Sequence, residues 1–80
     1  MTKTEFLAAY RARLVADYPW AQDAARLETF MASVTRTIRT AAATWNHDSD
    51  AATAIYRAQG NKGKVTLKWL RALPDDGVAA

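Results

Sequence analysis

The chain has 80 residues, of which 50% are hydrophobic and 24% charged, so it can form one small domain and is too short for two. It contains no cysteine and one histidine, which excludes disulfides, thiolate nucleophiles and cysteine-based metal sites. Cysteine-free composition fits a reducing compartment. No stretch has the pattern of a signal peptide or the roughly 18 apolar residues of a membrane span, so we expect a cytoplasmic protein that does not enter the membrane.

The first predicted helix covers residues 2–18. Thr2 and Glu5 have the T-x-x-E spacing of a capping box, and Pro19 ends the helix because proline lacks an amide hydrogen. Apolar residues at three- and four-residue steps form one stripe, Phe6, Leu7, Tyr10, Leu14 and Tyr18. The opposite face is also apolar, with Ala8, Ala12, Val15 and Ala16. It indicates either a second contact surface or simply a choice of good helix formers.

The second predicted helix, residues 19–45, carries the most regular pattern. Its apolar residues alternate between steps of four and three, and they are Trp20, Ala24, Leu27, Met31, Val34, Ile38, Ala41 and Trp45. Such a seam is typical of the central helix of a bundle or of a dimeric coiled coil. We favour the central helix, and a homodimer through the Trp20 to Trp45 seam is the alternative.

Two shorter helices are predicted after a turn at residues 46–50. The third covers 49–59, with Ala51, Ala52, Ile55 and Ala58 facing inward, Thr53 and Arg57 facing outward, and Gly60 as its stop. The fourth covers 64–73. Alternation at Val65, Leu67 and Trp69 also fits a strand, but a strand without a partner cannot satisfy its backbone, so helix is favoured.

The predicted fold is therefore all-α, a small single-domain four-helix bundle with one long central helix. The helical domain spans residues 1–74. Residues 75–80, which include Asp75 and Asp76, are predicted to be a flexible acidic tail.

Charge is unevenly distributed along the chain. The net charge is +3. Residues 1–50 carry as many basic as acidic side chains, whereas residues 51–74 carry five basic side chains and no acidic one. This asymmetry indicates a polyanionic partner, and nucleic acid is the leading candidate.

The basic segment 57–71 is the predicted binding site. A helix, a glycine-containing connector and a second helix would place free backbone amides beside lysines, an arrangement that suits phosphate groups. The candidate nucleic-acid-binding residues are Arg57, Lys62, Gly63, Lys64, Thr66, Lys68 and Arg71. Lys68 and Arg71 are expected on the outer face of the last helix. We expect contacts to the nucleic-acid backbone without base specificity.

Residues 63–67, Gly-Lys-Val-Thr-Leu, together with Leu70 and Arg71, resemble the second half of a helix-hairpin-helix DNA-binding unit. The resemblance covers about ten residues, and Gly60 and Gly63 are two residues apart where the hairpin glycines of that family are one apart. It implies that Gly63, Lys64 and Thr66 contact phosphate.

Residues 44–48 and 60–74 also resemble parts of short proteins, of no established function, that phages and prophages encode. That resemblance implies an alternative, a protein-binding factor that inhibits or adapts a host complex. The contact would then be the alanine face of the first helix, or Trp69.

Residues suited to catalysis are scarce. His47 has no second histidine or cysteine with which to hold a metal, and neither Ser33 nor Ser49 has an evident base. Core packing is the favoured role for Trp20, Trp45 and Trp69. We expect a protein that is not an enzyme and that needs no cofactor or metal.

Overall fold

The computed structural model describes residues 1–39 and 49–75 of the chain; for Ser49 it describes the backbone only. Within these ranges there are four α-helices, one 3₁₀-helix and no strand. The helices are α1 Lys3–Asp17, the 3₁₀-helix Pro19–Gln22, α2 Ala24–Arg39, α3 Ser49–Ala58 and α4 Leu67–Ala72. The all-α class is confirmed. None of the described helices is both long and apolar enough to cross a bilayer.

Helix α1 begins at the predicted capping box. The amide of Glu5 donates to Thr2 Oγ1 at 3.1 Å, and the amide of Thr2 donates to Glu5 Oε1 at 2.8 Å. The backbone and hydroxyl hydrogen bonds from Thr2 hold the pKa of Glu5 below its ordinary value. The predicted stripe is the buried face of this helix. Its members Phe6, Tyr10 and Leu14 are fully buried.

The predicted helix over 19–45 is wrong at its start. Residues 19–22 form a separate 3₁₀-helix, and Asp23 is extended before α2 begins at Ala24. The carboxylate of Asp23 accepts the amide of Arg26 at 3.2 Å, and its carbonyl accepts the amide of Leu27 at 2.9 Å. Aspartate is a strong N-cap, so it starts a new helix here in place of continuing one. Trp20 is consequently half-buried and Ala24 exposed, outside the predicted seam.

The middle of the seam is confirmed. Leu27, Met31, Val34 and Ile38 of α2 are all buried against the rest of the chain. These four residues belong to the core of the chain itself. Ala41 and Trp45, the other predicted members, lie outside the described residues.

Helices α3 and α4 follow the predicted order with different inward faces and bounds. Ala51, Ala52 and Ile55 are buried as predicted, but Ala58 is exposed and Thr53 is buried, opposite to the prediction. Helix α4 has six residues and begins at Leu67, three later than predicted. The helix does not start at residue 64 because Thr66 is extended and its hydroxyl caps the helix.

Aromatic rings connect all five helices. Seven rings form a continuous row of contacts, in the order Tyr56, Trp69, Phe6, Tyr10, Phe30, Trp20 and Tyr18. Ring centroids of neighbours are 5.0 Å to 6.3 Å apart, with both stacked and edge-to-face geometries. Such pairs add to the free energy of area burial. The aromatic row is therefore the part of the core that fixes α3 and α4 to α1 and α2.

The start of α1 is joined to the end of α4. The Lys3 amide donates to the Pro74 carbonyl at 2.8 Å, and Lys3 Nζ donates to the Leu73 carbonyl. The same Nζ lies 3.2 Å from Asp75 Oδ1. A buried ammonium is tolerated because it is paired and hydrogen-bonded. Asp75, the first residue of the predicted tail, thus contacts the domain, and residues 76–80 lie outside the described part.

Candidate nucleic-acid interface

The connector between α3 and α4 leaves helical geometry at its two glycines. Gly60 has φ +90° and Gly63 has φ +85°, a region that other residues rarely adopt. A Cβ at either position would meet nothing within 4 Å, so backbone conformation and not space requires glycine. The Gly60 amide donates to the Arg57 carbonyl at 3.0 Å, and Asn61 Nδ2 donates to the Tyr56 carbonyl at 3.0 Å. These bonds satisfy carbonyls that the end of α3 leaves open.

Two further hydrogen bonds fasten the connector to α3. The Val65 amide donates to Thr53 Oγ1 at 3.2 Å, and Arg57 Nε donates to the Gly63 carbonyl at 2.9 Å. Thr53 and Asn61 were not among the predicted site residues. The partner of Thr53 is twelve residues away, which no helical period signals, whereas an asparagine just after Gly60 is a recognisable end-of-helix residue. The connector is held in one conformation from several sides.

Lys62, Lys64 and Lys68 are the exposed lysines of the segment 57–71, in which Arg57 is also exposed. Among the described residues, none of the three ammonium groups has a carboxylate, hydrogen-bond or aromatic partner. Two of the lysines flank Gly63, and the third lies in the first turn of α4. They are available to an external anion without first giving up an internal partner.

Basic side chains elsewhere are engaged. Arg11 pairs with Glu28, and Arg13 Nε lies 3.4 Å from Asp17 Oδ2. The Arg26 guanidinium lies 5.3 Å from the ring centroid of Trp20. Lys3 is held by the end of α4, and Arg36, Arg39 and Arg71 also have interaction partners. Within the described ranges, the lysines without a partner are thus found on the connector and at the start of α4.

Two predicted site residues have mainly local roles. Arg71 is half-buried with a buried Nε, which corrects its placement beside Lys68 on the outer face. Thr66 Oγ1 accepts the Trp69 amide at 3.2 Å, so its hydroxyl caps α4. Helix α4 has only six residues, and the Thr66 side chain already occupies one of the amides at its start.

The other candidate residues fall in different places. Trp69 is half-buried, with the rings of Tyr56 at 5.0 Å and Phe6 at 6.2 Å, so packing accounts for it. Within the described ranges, no group of three or more His, Cys, Asp or Glu side chains could hold a metal ion. His47 lies outside those ranges. Ser33 is exposed on α2.

Comparison with known proteins adds no assignment. No family model matches this chain, and no curated protein or solved structure was found to be similar to it. The resemblances of residues 63–71 to a helix-hairpin-helix unit and of residues 44–48 and 60–74 to short phage proteins therefore stay predictions. What the described residues provide is the geometry of the lysines and the connector.

Proposed function

We propose that this protein is a small non-catalytic binding module that contacts the sugar–phosphate backbone of nucleic acid. The observation that carries this proposal is a set of three exposed lysines without a partner among the described residues: Lys62 and Lys64 on a connector held by hydrogen bonds, and Lys68 in the first turn of α4. The basic side chains outside this segment have interaction partners, and these three lysines differ from them in that respect. Arg57, exposed at the end of α3, supports it with the part of its guanidinium that does not bind Gly63.

Lysine ammonium groups suit phosphate as point charges, and they contribute affinity without reading sequence. Base-specific readout uses several arginine, asparagine or glutamine side chains on an element that enters a groove. Helix α4 carries no asparagine or glutamine, and Arg71 is half-buried. Binding is therefore expected to be nonspecific and electrostatic, with an affinity that falls as salt displaces it.

A salt titration tests this function. A fluorescein-labelled 20-base-pair duplex of mixed sequence is titrated with the protein by anisotropy at several concentrations between 50 and 300 mM NaCl. Three phosphate contacts predict a slope of log K against log salt of about −2.7. Two duplexes of unrelated sequence should bind alike. Absence of binding at 50 mM, or binding that salt does not weaken, would refute the proposal.

The finer architecture is part of the same proposal. A four-helix bundle with α2 as its central helix is supported by the four buried seam residues, and by α2 packing on α1, the 3₁₀-helix and α4. The predicted extension of that helix to residue 45 falls on residues outside the described part. The absence of cysteine supports a cytoplasmic location.

A second candidate function, binding to a host protein as an inhibitor or adaptor, is favoured by a different surface. Val15 is 37% exposed and is the single large hydrophobic side chain exposed in the described ranges. Ala8, Ala12 and Ala16, the rest of the predicted alanine face, are exposed on the same helix. Apolar residues at the centre of an interface contribute affinity through desolvation. Trp69, already packed against two rings, gives this candidate no support.

Substitution on the alanine face distinguishes the two candidates. A partner captured from cell extract through this face should be lost from Val15→Lys and be insensitive to nuclease and to 300 mM salt. A partner captured through nucleic acid should instead be released by nuclease and by 300 mM salt. Val15→Lys should still capture such a partner. Ala25→Lys, an exposed alanine on α2, is the matched control for the added charge.

A further inference from the structure

The aromatic side chains next to the basic connector pack against each other and against α1. Tyr56, in the last turns of α3, and Trp69, next to Lys68, are both half-buried. Their rings contact edge to face, with centroids 5.0 Å apart and an interplanar angle of 80°. Trp69 also meets Phe6 at 78°. Among the described residues, no exposed aromatic ring accompanies the free lysines.

Proteins that bind single strands without sequence preference combine two elements, a basic groove and aromatic rings on which unpaired bases stack. The surface around the connector supplies positive charge, and among the described residues it supplies no ring that is classed as exposed. A duplex offers no unpaired base for stacking, so the affinity for a duplex does not depend on exposed aromatic rings. A duplex also carries a higher charge density, about one phosphate per 1.7 Å of helix axis, and releases more counterions per contact.

The fixed backbone of the connector also favours a duplex over a single strand. Lys62 and Lys64 are attached to a backbone that Thr53, Arg57 and Asn61 hold through hydrogen bonds. Their Cα atoms cannot rearrange freely to follow a flexible strand. A stiff array of phosphates is better matched to cations on a fixed backbone, because only the lysine side chains then lose conformational freedom on binding.

From these observations we infer that the surface formed by Lys62, Lys64 and Lys68 selects a double-stranded phosphate backbone over a single strand. This inference rests on the proposed nucleic-acid binding and adds the class of ligand. The ligand is recognised by its paired backbone, which DNA and RNA duplexes share.

The test compares three labelled probes at 50 mM NaCl, a 20-base-pair DNA duplex, the RNA duplex of the same sequence, and an unstructured 20-nucleotide pyrimidine DNA strand. The duplexes, or one of them, should bind at least about fivefold more tightly than the single strand. Tight binding to only one duplex would identify which backbone is preferred. Equal binding, or tighter binding to the single strand, would overturn the inference. No binding to any probe would instead refute the proposed function.

An added ring tests the physical reason. Ala72 is exposed on α4, one turn from Lys68, so Ala72→Trp places an aromatic face beside the lysine without removing a cation. We expect its single-strand affinity to rise about fivefold and its duplex affinity to stay unchanged. Ala72→Leu, which adds apolar area without a ring face for stacking, is the matched control and should leave both affinities unchanged. An unchanged single-strand affinity in Ala72→Trp would count against the inference.

Discussion

Replacing Phe6 with alanine is expected to lower the free energy of unfolding by about 3–5 kcal/mol. Phe6 has 0% exposure and lies between two other rings, Tyr10 at 5.6 Å and Trp69 at 6.2 Å. Its removal leaves a cavity where the rings that connect α1 to α4 meet. Small domains have total unfolding free energies of about 5–15 kcal/mol, so one such change takes a large part of it. Urea denaturation followed by circular dichroism measures the loss.

Two control variants are compared with Phe6→Ala. Val15→Ala lies on the exposed face of the same helix and should change the unfolding free energy by no more than about 0.5 kcal/mol. Phe6→Leu keeps most of the apolar volume and should cost clearly less than Phe6→Ala. If Phe6→Ala unfolds at the same urea concentration as the wild type, the aromatic row does not stabilise the fold as described.

The sequence was sufficient for features that depend on near neighbours. The capping box of Thr2 and Glu5 involves residues three apart, and the buried stripe of α1 follows a helical period. Gly60 stops α3 because its backbone enters the left-handed region two residues after the helix ends at Ala58. Each of these features is decided within about one or two helical turns, so residue spacing can reveal it.

The sequence analysis did not predict features that depend on competition between two possible helix starts or on partners distant in the chain. Trp20 and Ala24 keep the seam spacing, but the N-cap at Asp23 starts a helix that leaves them outside the seam. Lys3 is buried because residues 70 or more positions later provide its acceptors. Thr53 is buried for a similar reason. Periodicity contains no information about such pairs.

The candidate site was predictable in composition and only partly in geometry. The concentration of basic residues in 57–71 is visible in the sequence, and four of the five are exposed. The distinction between engaged and free cations is not visible, since Arg11 meets Glu28 only after α1 and α2 pack together.

Neutralising the three free lysines is expected to remove most of the nucleic-acid affinity. The triple variant Lys62→Gln, Lys64→Gln and Lys68→Gln keeps polar side chains, each one atom shorter than lysine, and removes three positive charges. The slope of log K against log salt should become less negative by about 2.7, and duplex affinity at 50 mM NaCl should fall at least tenfold. Because the three side chains are exposed and unpartnered, the unfolding free energy should change little.

A second triple variant separates a local site from overall charge. Arg11→Gln, Arg13→Gln and Arg26→Gln also removes three positive charges, but from exposed side chains that already have partners in the described structure. Exposed ion pairs contribute only about 0–1 kcal/mol, so this variant should remain folded. Its salt slope should stay near that of the wild type, with at most a small affinity loss from the weaker overall field. Equal losses in the two variants would show that net charge, and not the free lysines on the connector, produces the binding.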